Sequence, residues 1–285
     1  MRAVDHGLLT ALSLAAVATL GGAAATRPAD PQTLLGSHLL VTWYGNPHTP
    51  RMGVLGEASG AARAAALRRQ AAAYASLTAK TVLPAYHLVA VVAQPTAAGG
   101  GWRRRESHAV INALLDEARA NGFHLVLDVQ PGRSAVASEV ESLRSFLSQP
   151  DVHLALDPEF AMAEGQVPGR TIGQLRAAEI NRALDVVESI AREHALPPKV
   201  VIVHQFTLGM LPDKARIRER PGIDLVLDMD GFGPPSLKHA SYRAIMRQHR
   251  LPFAGFKLFY RQDTNLLRPA DVMRLVPLPS VVIYQ

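Results

Sequence analysis

The chain has 285 residues, 48% hydrophobic and 19% charged, enough apolar mass to bury a large core in one big domain or two small ones. Its formal net charge of +6 is scattered along Ala-rich segments as Arg68, Arg69, Arg176, Arg182 and Arg243, beside acids such as Glu179 and Asp185, the pattern of a solvated outer helix face. No zinc-finger, helix-turn-helix or RNA-motif signature accompanies that charge, which argues against a nucleic-acid partner, and the lack of cysteine excludes disulfides and thiol lipidation.

The chain opens with a basic Arg2, an apolar stretch Leu8–Leu20 and a small-residue site at Ala23-Ala24-Ala25. This is the pattern of a secretory signal peptide over residues 1–25. An uncleaved membrane anchor competes with it, because Gly7–Ala25 approaches the ~20 residues that span a bilayer. The stretch is Ala/Gly-rich and weakly apolar, which favours cleavage. The expected location is therefore secreted, extracellular or in the cell envelope, with any membrane contact confined to this segment. Residues 26–37 are polar and Pro-containing and read as a surface lead-in to one domain over 38–285.

From there apolar extended runs alternate with helical patterns. The runs are Leu39–Tyr44, Tyr86–Val92, His124–Val129, His153–Asp157, Lys199–Phe206, Ile223–Met229, Phe253–Tyr260 and Ser280–Tyr284. Between them, Val110, Ile111, Leu114, Leu115 and Ala118 form a stripe of period near 3.6, closed by Gly122. Ser138 with Glu141, and Thr171 with Gln174, have capping-box spacing and are expected to open two further helices. A weaker helix holds Leu237, Ala240, Ile245 and Met246. Alternating strands and helices imply a parallel sheet with right-handed crossovers.

Eight such strands imply closure into a single α/β domain, a (β/α)8 TIM-type barrel. The rival, an open doubly wound sheet, needs a Gly-rich phosphate turn after its first strand. Tyr44-Gly45-Asn46-Pro47 lacks that spacing. The last strand runs to Gln285 with no closing helix, and the lead-in is expected to cover the opposite end. Segments after strands are long (Asn46–Glu57, Gln94–Glu106, Phe160–Arg170, Thr207–Lys214, Gly231–Ser236) and segments after helices are short. Function is expected at the strands' carboxyl ends.

Three strands end alike: LVLDVQ at Gln130, LALDPE at Glu159 and LVLDMD at Asp230. Period-two alternation puts Asp128 with Gln130, Asp157 with Glu159, and Asp228 with Asp230 on shared faces. Carboxyls crowded in a buried mouth repel one another and lose solvation, so one of them should hold a proton near neutrality. Such a pair can divide acid and base duties at a glycosidic bond. Glu159, longer and furthest out, is the expected general acid, and Asp157 orients it or stabilises developing positive charge. Asp128 and Asp228 would flank them, binding hydroxyls or assisting a water, with Asp230 completing the pocket. The competing reading is that the acids merely cap the barrel by bonding loop backbone.

The acidic D-x-E of Asp157-Pro158-Glu159 at a central strand end resembles the chitinase-type and lysozyme-type secreted glycoside hydrolases. That resemblance implies Glu159 as proton donor, Asp157 as its support, and Tyr284 as a substrate contact. The longer acidic run that precedes the Glu in chitinases is replaced here by Leu154-Ala155-Leu156. The resemblance covers the barrel pattern and this one short motif.

His204-Gln205 and Lys257 add polar groups to other strand ends. His204 fits a base, a metal ligand or an orienter, and Lys257 balances the acids. The rim aromatics are Trp43, Tyr44, Trp102, Phe160, Phe206, Phe232, Tyr260 and Tyr284, with Trp102 the best stacking platform because it sits in a Gly- and Arg-rich loop. The expected substrate-binding set is thus Asp230, His204, Gln130, Tyr44, Lys257, Tyr260, Tyr284 and Trp102. The expected protein is a monomeric, cofactor-free hydrolase of an extracellular or cell-wall polysaccharide. Its rivals are a divalent-metal-dependent hydrolase using the same acids with His204, and a barrel that binds carbohydrate or another extracellular ligand without chemistry.

Overall fold

The apolar runs form strands buried on both faces, and these close on one another. In the structure, a computed structural model describing residues 33–97 and 101–285, the strands are β1 (His38–Gly45), β2 (Thr81–Ala93), β3 (Arg103–Arg105), β4 (His124–Val129), β5 (Val152–Leu156), β6 (Lys199–Gln205), β7 (Ile223–Met229), β8 (Phe253–Leu258) and β9 (Pro279–Tyr284). Eight of them pair in parallel in the order β1-β2-β4-β5-β6-β7-β8-β9, and β9 returns to β1. This is the expected (β/α)8 barrel. The signal-peptide pattern over 1–25 lies outside the described residues.

Alternation along each strand sorts the side chains. Leu40, Ala85, Val126, Ala155, Ile202, Val226, Val281 and Ile283 fill the barrel. Leu39, Val41, Leu125, Leu127, Leu154, Val201 and Leu225 face outward under the helices. Those helices are α1 (Leu34–Ser37), α2 (Gly60–Ala72), α3 (His108–Ala120), α4 (Val136–Glu141), α5 (Arg144–Leu147), α6 (Ala177–Glu193), α7 (Pro235–Gln248) and α8 (Pro269–Val272). The outer ring is uneven: β6 and β7 are joined by two short 3-10 turns rather than a helix. Among the described residues no helix is long and apolar enough to cross a membrane.

Helix α3 carries the expected stripe, with Ile111, Leu114, Leu115 and Ala118 buried, Ser107 capping Val110 N, and Gly122 in the left-handed region after it. The other two helix starts differ from expectation. Ser138 lies inside α4, which begins at Val136, and Glu139 rather than Glu141 turns inward. Glu139 accepts from Arg103 Nε at 2.9 Å and Arg105 Nε at 2.7 Å. Those bonds explain β3, an unexpected strand of three arginines paired antiparallel to the end of β2. Thr171 does not open α6, which starts at Ala177, where Asp213 Oδ1 accepts from Ala177 N and Glu179 accepts from Arg176 N. Residues 171–175 are held across the barrel mouth instead: Gly173 N donates to Glu159 O at 2.6 Å and Leu175 N to Met210 O at 3.0 Å.

The described part of the lead-in, residues 33–37, leaves Ser37 exposed but turns one side chain inward. Its one-turn helix α1 inserts Leu35, fully buried, into the amino end of the barrel. Leu35 N donates to Asp224 Oδ2 at 2.7 Å, and Lys80 Nζ donates to Leu35 O at 2.6 Å. The plug is possible because its backbone polar groups keep partners while its side chain covers the barrel floor.

A candidate active site at the carboxyl end of the barrel

Above the apolar interior, the same inward positions switch to polar residues. Thr42 and Tyr44 on β1, His87 on β2, Asp128 on β4, His204 on β6, Asp228 on β7 and Lys257 on β8 all point into the barrel and are buried. Gln130, Asp157 and Asp230 follow at the strand ends, also buried. Glycine at position 255 makes room for this layer. Gly255 pairs with Asp228, and a Cβ there would stand 2.7 Å from Asp228 Oδ1 and 3.2 Å from its Cα.

The lower tier centres on His204. Its Nδ1 donates to Asp228 Oδ2 at 2.9 Å and lies 3.4 Å from Asp230 Oδ2, while its Nε2 is 3.8 Å from Asp128 Oδ2. The His87 ring is 5.7 Å from the His204 ring, with its Nδ1 3.4 Å from Thr42 Oγ1. His87 Nε2, His204 Nε2 and both Asp128 carboxyl oxygens are buried without a hydrogen-bond partner. The Tyr44 hydroxyl sits close enough to Asp128 to bias its charge, but not in a geometry that makes a hydrogen bond.

The upper tier opens into a cavity of about 540 Å³. Tyr44, Gln130, Asp157, Glu159, Asp230, Lys257 and Gln285 supply its polar wall, and Met52, Phe160, Phe206, Phe232 and Phe259 its apolar rim. Lys257 Nζ reaches both oxygens of Asp230, at 3.0 and 3.1 Å, and lies 3.7 Å over the Tyr44 ring. Gln130 Nε2 lies 3.4 Å from both Tyr44 OH and Asp157 Oδ2. β5 stops at Leu156 because Pro158 cannot continue it. Asp157 Oδ1 then accepts from Glu159 N at 3.0 Å, and a 3-10 turn carries Glu159 onto the cavity wall. Among the described residues the Glu159 carboxyl has no ion-pair partner.

Burial sets the ionisation of these groups. It raises the Asp128 and Asp228 carboxyls above the usual range. Asp157 is pushed well up by burial and then by the Asp128 charge. Glu159 is raised by burial and then by Asp230. Burial works against the His204 cation, yet the Asp228 hydrogen bond and the charges of Asp230 and Asp128 carry it up to about 9. Lys257 is likewise raised against burial, by Asp230, Asp157 and Asp228. His87 is held well below its usual value by burial, then by His204 and Lys257. The cluster thus joins five carboxyls to two cations, the arrangement expected to retain protons near neutrality.

The sequence-derived set divides in three. Glu159, Asp157, Asp230, Gln130, Tyr44 and Lys257 line the cavity together. Asp128, Asp228 and His204 sit one tier lower, walled off from it. Tyr284, Tyr260 and Trp102 are placed elsewhere, a correction to the expected substrate contacts. Tyr284 points outward from the barrel and shares a 2.7 Å hydroxyl bond with Tyr74, because Ile283 and Gln285 take the inward positions. Tyr260 stacks on Tyr284 and donates to Gln70 Oε1 at 2.7 Å. Trp102 has its ring covered by Arg133, whose guanidinium is 4.1 Å from the ring centre. Sequence reasoning missed Gln285, Met52 and Phe259 on the wall and His87 beneath it. Lone polar His87 inside an apolar strand run was the available signal.

Among the described residues two sets of side chains could hold a metal ion: His87, Asp128 and His204, and His204, Asp228 and Asp230. In each, one ligand atom per residue lies within 4.8 Å of the others.

No protein-family model and no curated protein sequence matches the chain. Among solved structures, a GH5 xyloglucan-specific endo-β-1,4-glucanase from a metagenomic library, in complex with cellotriose, aligns over 71% of this chain and 74% of its own, at 11% identity and a TM-score of 0.42. A 2,3-dimethylmalate lyase of the PEP mutase/isocitrate lyase superfamily aligns over 90% and 76%, at 12% identity and a TM-score of 0.41. At this distance neither likeness says anything of the reaction.

Proposed function

We propose that this barrel hydrolyses glycosidic bonds in an extracellular or cell-wall polysaccharide, with Glu159 as the proton donor. The observation that supports this reading is a contrast between two carboxyls on one cavity wall. Glu159 has no ion-pair partner among the described residues and is raised by burial, which favours a retained proton. Asp230 is instead clasped by Lys257 at 3.0 Å and lies 3.4 Å from His204 Nδ1. A proton donor and a second carboxyl held by a cation on one wall are the pair that cleavage with oxocarbenium character uses. Asp157 fixes the turn that presents Glu159 by accepting from its backbone N–H. Phe160, Phe206, Phe232 and Phe259 supply apolar faces on which sugar rings can rest. The signal-peptide pattern over 1–25 supports an exported protein that meets polymers outside the cytoplasm.

The test is an activity screen of the purified protein on peptidoglycan, chitin, and α- and β-glucans. Release of new reducing ends from at least one polymer is expected, and Glu159→Gln should lower that rate by about 10²–10⁴-fold. If wild type and variant are both inert yet bind a polymer equally well, the barrel is a carbohydrate-binding protein and hydrolysis is the wrong reading.

A further inference from the structure

We propose that His87, Asp128 and His204 bind one first-row divalent transition-metal ion beneath the floor of the cavity. None of the three lines the cavity, so the site stands apart from the Glu159 chemistry and holds whether or not that chemistry occurs.

The argument begins with four polar atoms. His87 Nε2, His204 Nε2 and both oxygens of Asp128 come from three different strands, are buried, and make no well-formed hydrogen bond, although the Tyr44 hydroxyl approaches Asp128. Native interiors rarely leave such atoms unsatisfied. Here they converge, one from each residue, within 4.8 Å of one another. For one pair the spacing is too long for a hydrogen bond and suits a shared ion. His204 Nε2 and Asp128 Oδ2 are 3.8 Å apart, beyond the ~3.2 Å limit of a hydrogen bond. Two metal–ligand bonds of about 2.1 Å span about 3.4–4.2 Å as their angle opens from tetrahedral to linear.

The partners of the opposite ring nitrogens fit the same reading. His204 Nδ1 meets the Asp228 carboxylate at 2.9 Å, and His87 Nδ1 faces the Thr42 hydroxyl at 3.4 Å. The carboxylate can hold a proton on His204 Nδ1 and the hydroxyl can accept one from His87 Nδ1, the kind of outer partner found behind metal-ligating histidines, with each Nε2 turned toward the shared ion. Two imidazoles and one carboxylate suit zinc, cobalt, manganese or iron, whereas calcium and magnesium prefer oxygen alone.

Untagged, full-length protein stripped with EDTA and then dialysed against Zn²⁺ should retain about one equivalent by elemental analysis. Co²⁺ added to the stripped protein should develop the visible absorption of a nitrogen-ligated site, and both ions should raise the unfolding temperature. His87→Ala and Asp128→Asn should fall to less than about one-tenth of an equivalent, while Glu159→Gln should keep the full amount. The wild-type Co²⁺ spectrum decides the matter even where a ligand variant does not fold. Absence of that spectrum together with substoichiometric Zn²⁺ in wild type overturns the proposal. So does one equivalent of Zn²⁺ that persists in folded His87→Ala and Asp128→Asn. A wild-type protein that holds the ion but hydrolyses nothing sinks the Glu159 reading and leaves this one standing.

Discussion

Glu159 and Asp230 face one cavity from different strand ends with opposite electrical surroundings. Asp230 lies 3.0 Å from the Lys257 ammonium, and Glu159 is half-buried and raised by burial and by Asp230 itself. A proton donor must keep its proton at working pH, and a group whose pKa is raised does so over a wider range. Activity is therefore expected to fall as pH rises through the raised Glu159 value. A pH–rate profile of Glu159→Gln should lose that alkaline limb, because the amide does not titrate.

Asp157 carries the opposite lesson for stability. Its carboxyl is pushed well up by burial and by Asp128, so the folded protein holds a proton that the unfolded chain releases above about pH 3.9. The contribution of Asp157 to stability is fully present below that value and is lost as pH rises through the raised folded one. Asp157→Asn keeps an oxygen for the Glu159 N–H and removes the ionisation. Thermal unfolding should show the variant more stable than wild type at pH 8, with the gap closing toward pH 4. A constant gap across that range would contradict the burial argument.

Gly255 sets the room available to Asp228. A methyl group there would meet Asp228 Oδ1 at 2.7 Å and its backbone at 3.2 Å. Gly255→Ala should cost about 1–3 kcal/mol, the usual range for overpacking. It should also disturb the Asp228–His204 bond, visible as a shifted His204 titration by NMR. Urea unfolding supplies the energy.

Lys238 ties two cavity loops together. Its Nζ pairs with Asp263 Oδ2 at 2.8 Å and donates to Gly231 O at 2.8 Å and Lys257 O at 2.7 Å. Asp263 in turn accepts from Gly233 N and Phe259 N. Both ends of the pair are buried, so Lys238→Met leaves a carboxylate without its partner and should cost about 3–5 kcal/mol in urea unfolding. Phe232 and Phe259 sit on the loops so held, and polymer binding should weaken with them.

The barrel was legible because parallel strands covered on both faces read as apolar runs, and the acids that end three of them kept their alternation. Asp128, Asp157 and Asp228 all lie at the carboxyl end of the barrel, but only Asp157 lines the cavity, with Asp128 and Asp228 buried beneath it. Alternation also held a signal that went unused: Ile283 fills the barrel, so Gln285 faces the mouth and Tyr284 faces Tyr74. His87 was hidden by its apolar neighbours in β2. The helix starts at Ser138 and Thr171 failed for a tertiary reason. Glu139 is recruited by Arg103 and Arg105, and Gly173 is bonded to Glu159 O. Local spacing records neither partner. Trp102 read as an open platform because Arg133, which covers it, is distant in sequence.

Leaving-group dependence tests the role of Glu159 most directly. A glycoside with an acidic nitrophenol leaving group departs without protonation, whereas a sugar leaving group needs the proton. On whichever polymer is hydrolysed, Glu159→Gln should lose about 10²–10⁴-fold in kcat yet retain most of its rate on the matching nitrophenyl glycoside. An equal loss on both substrates, or no loss on the polymer, would contradict Glu159 as the proton donor.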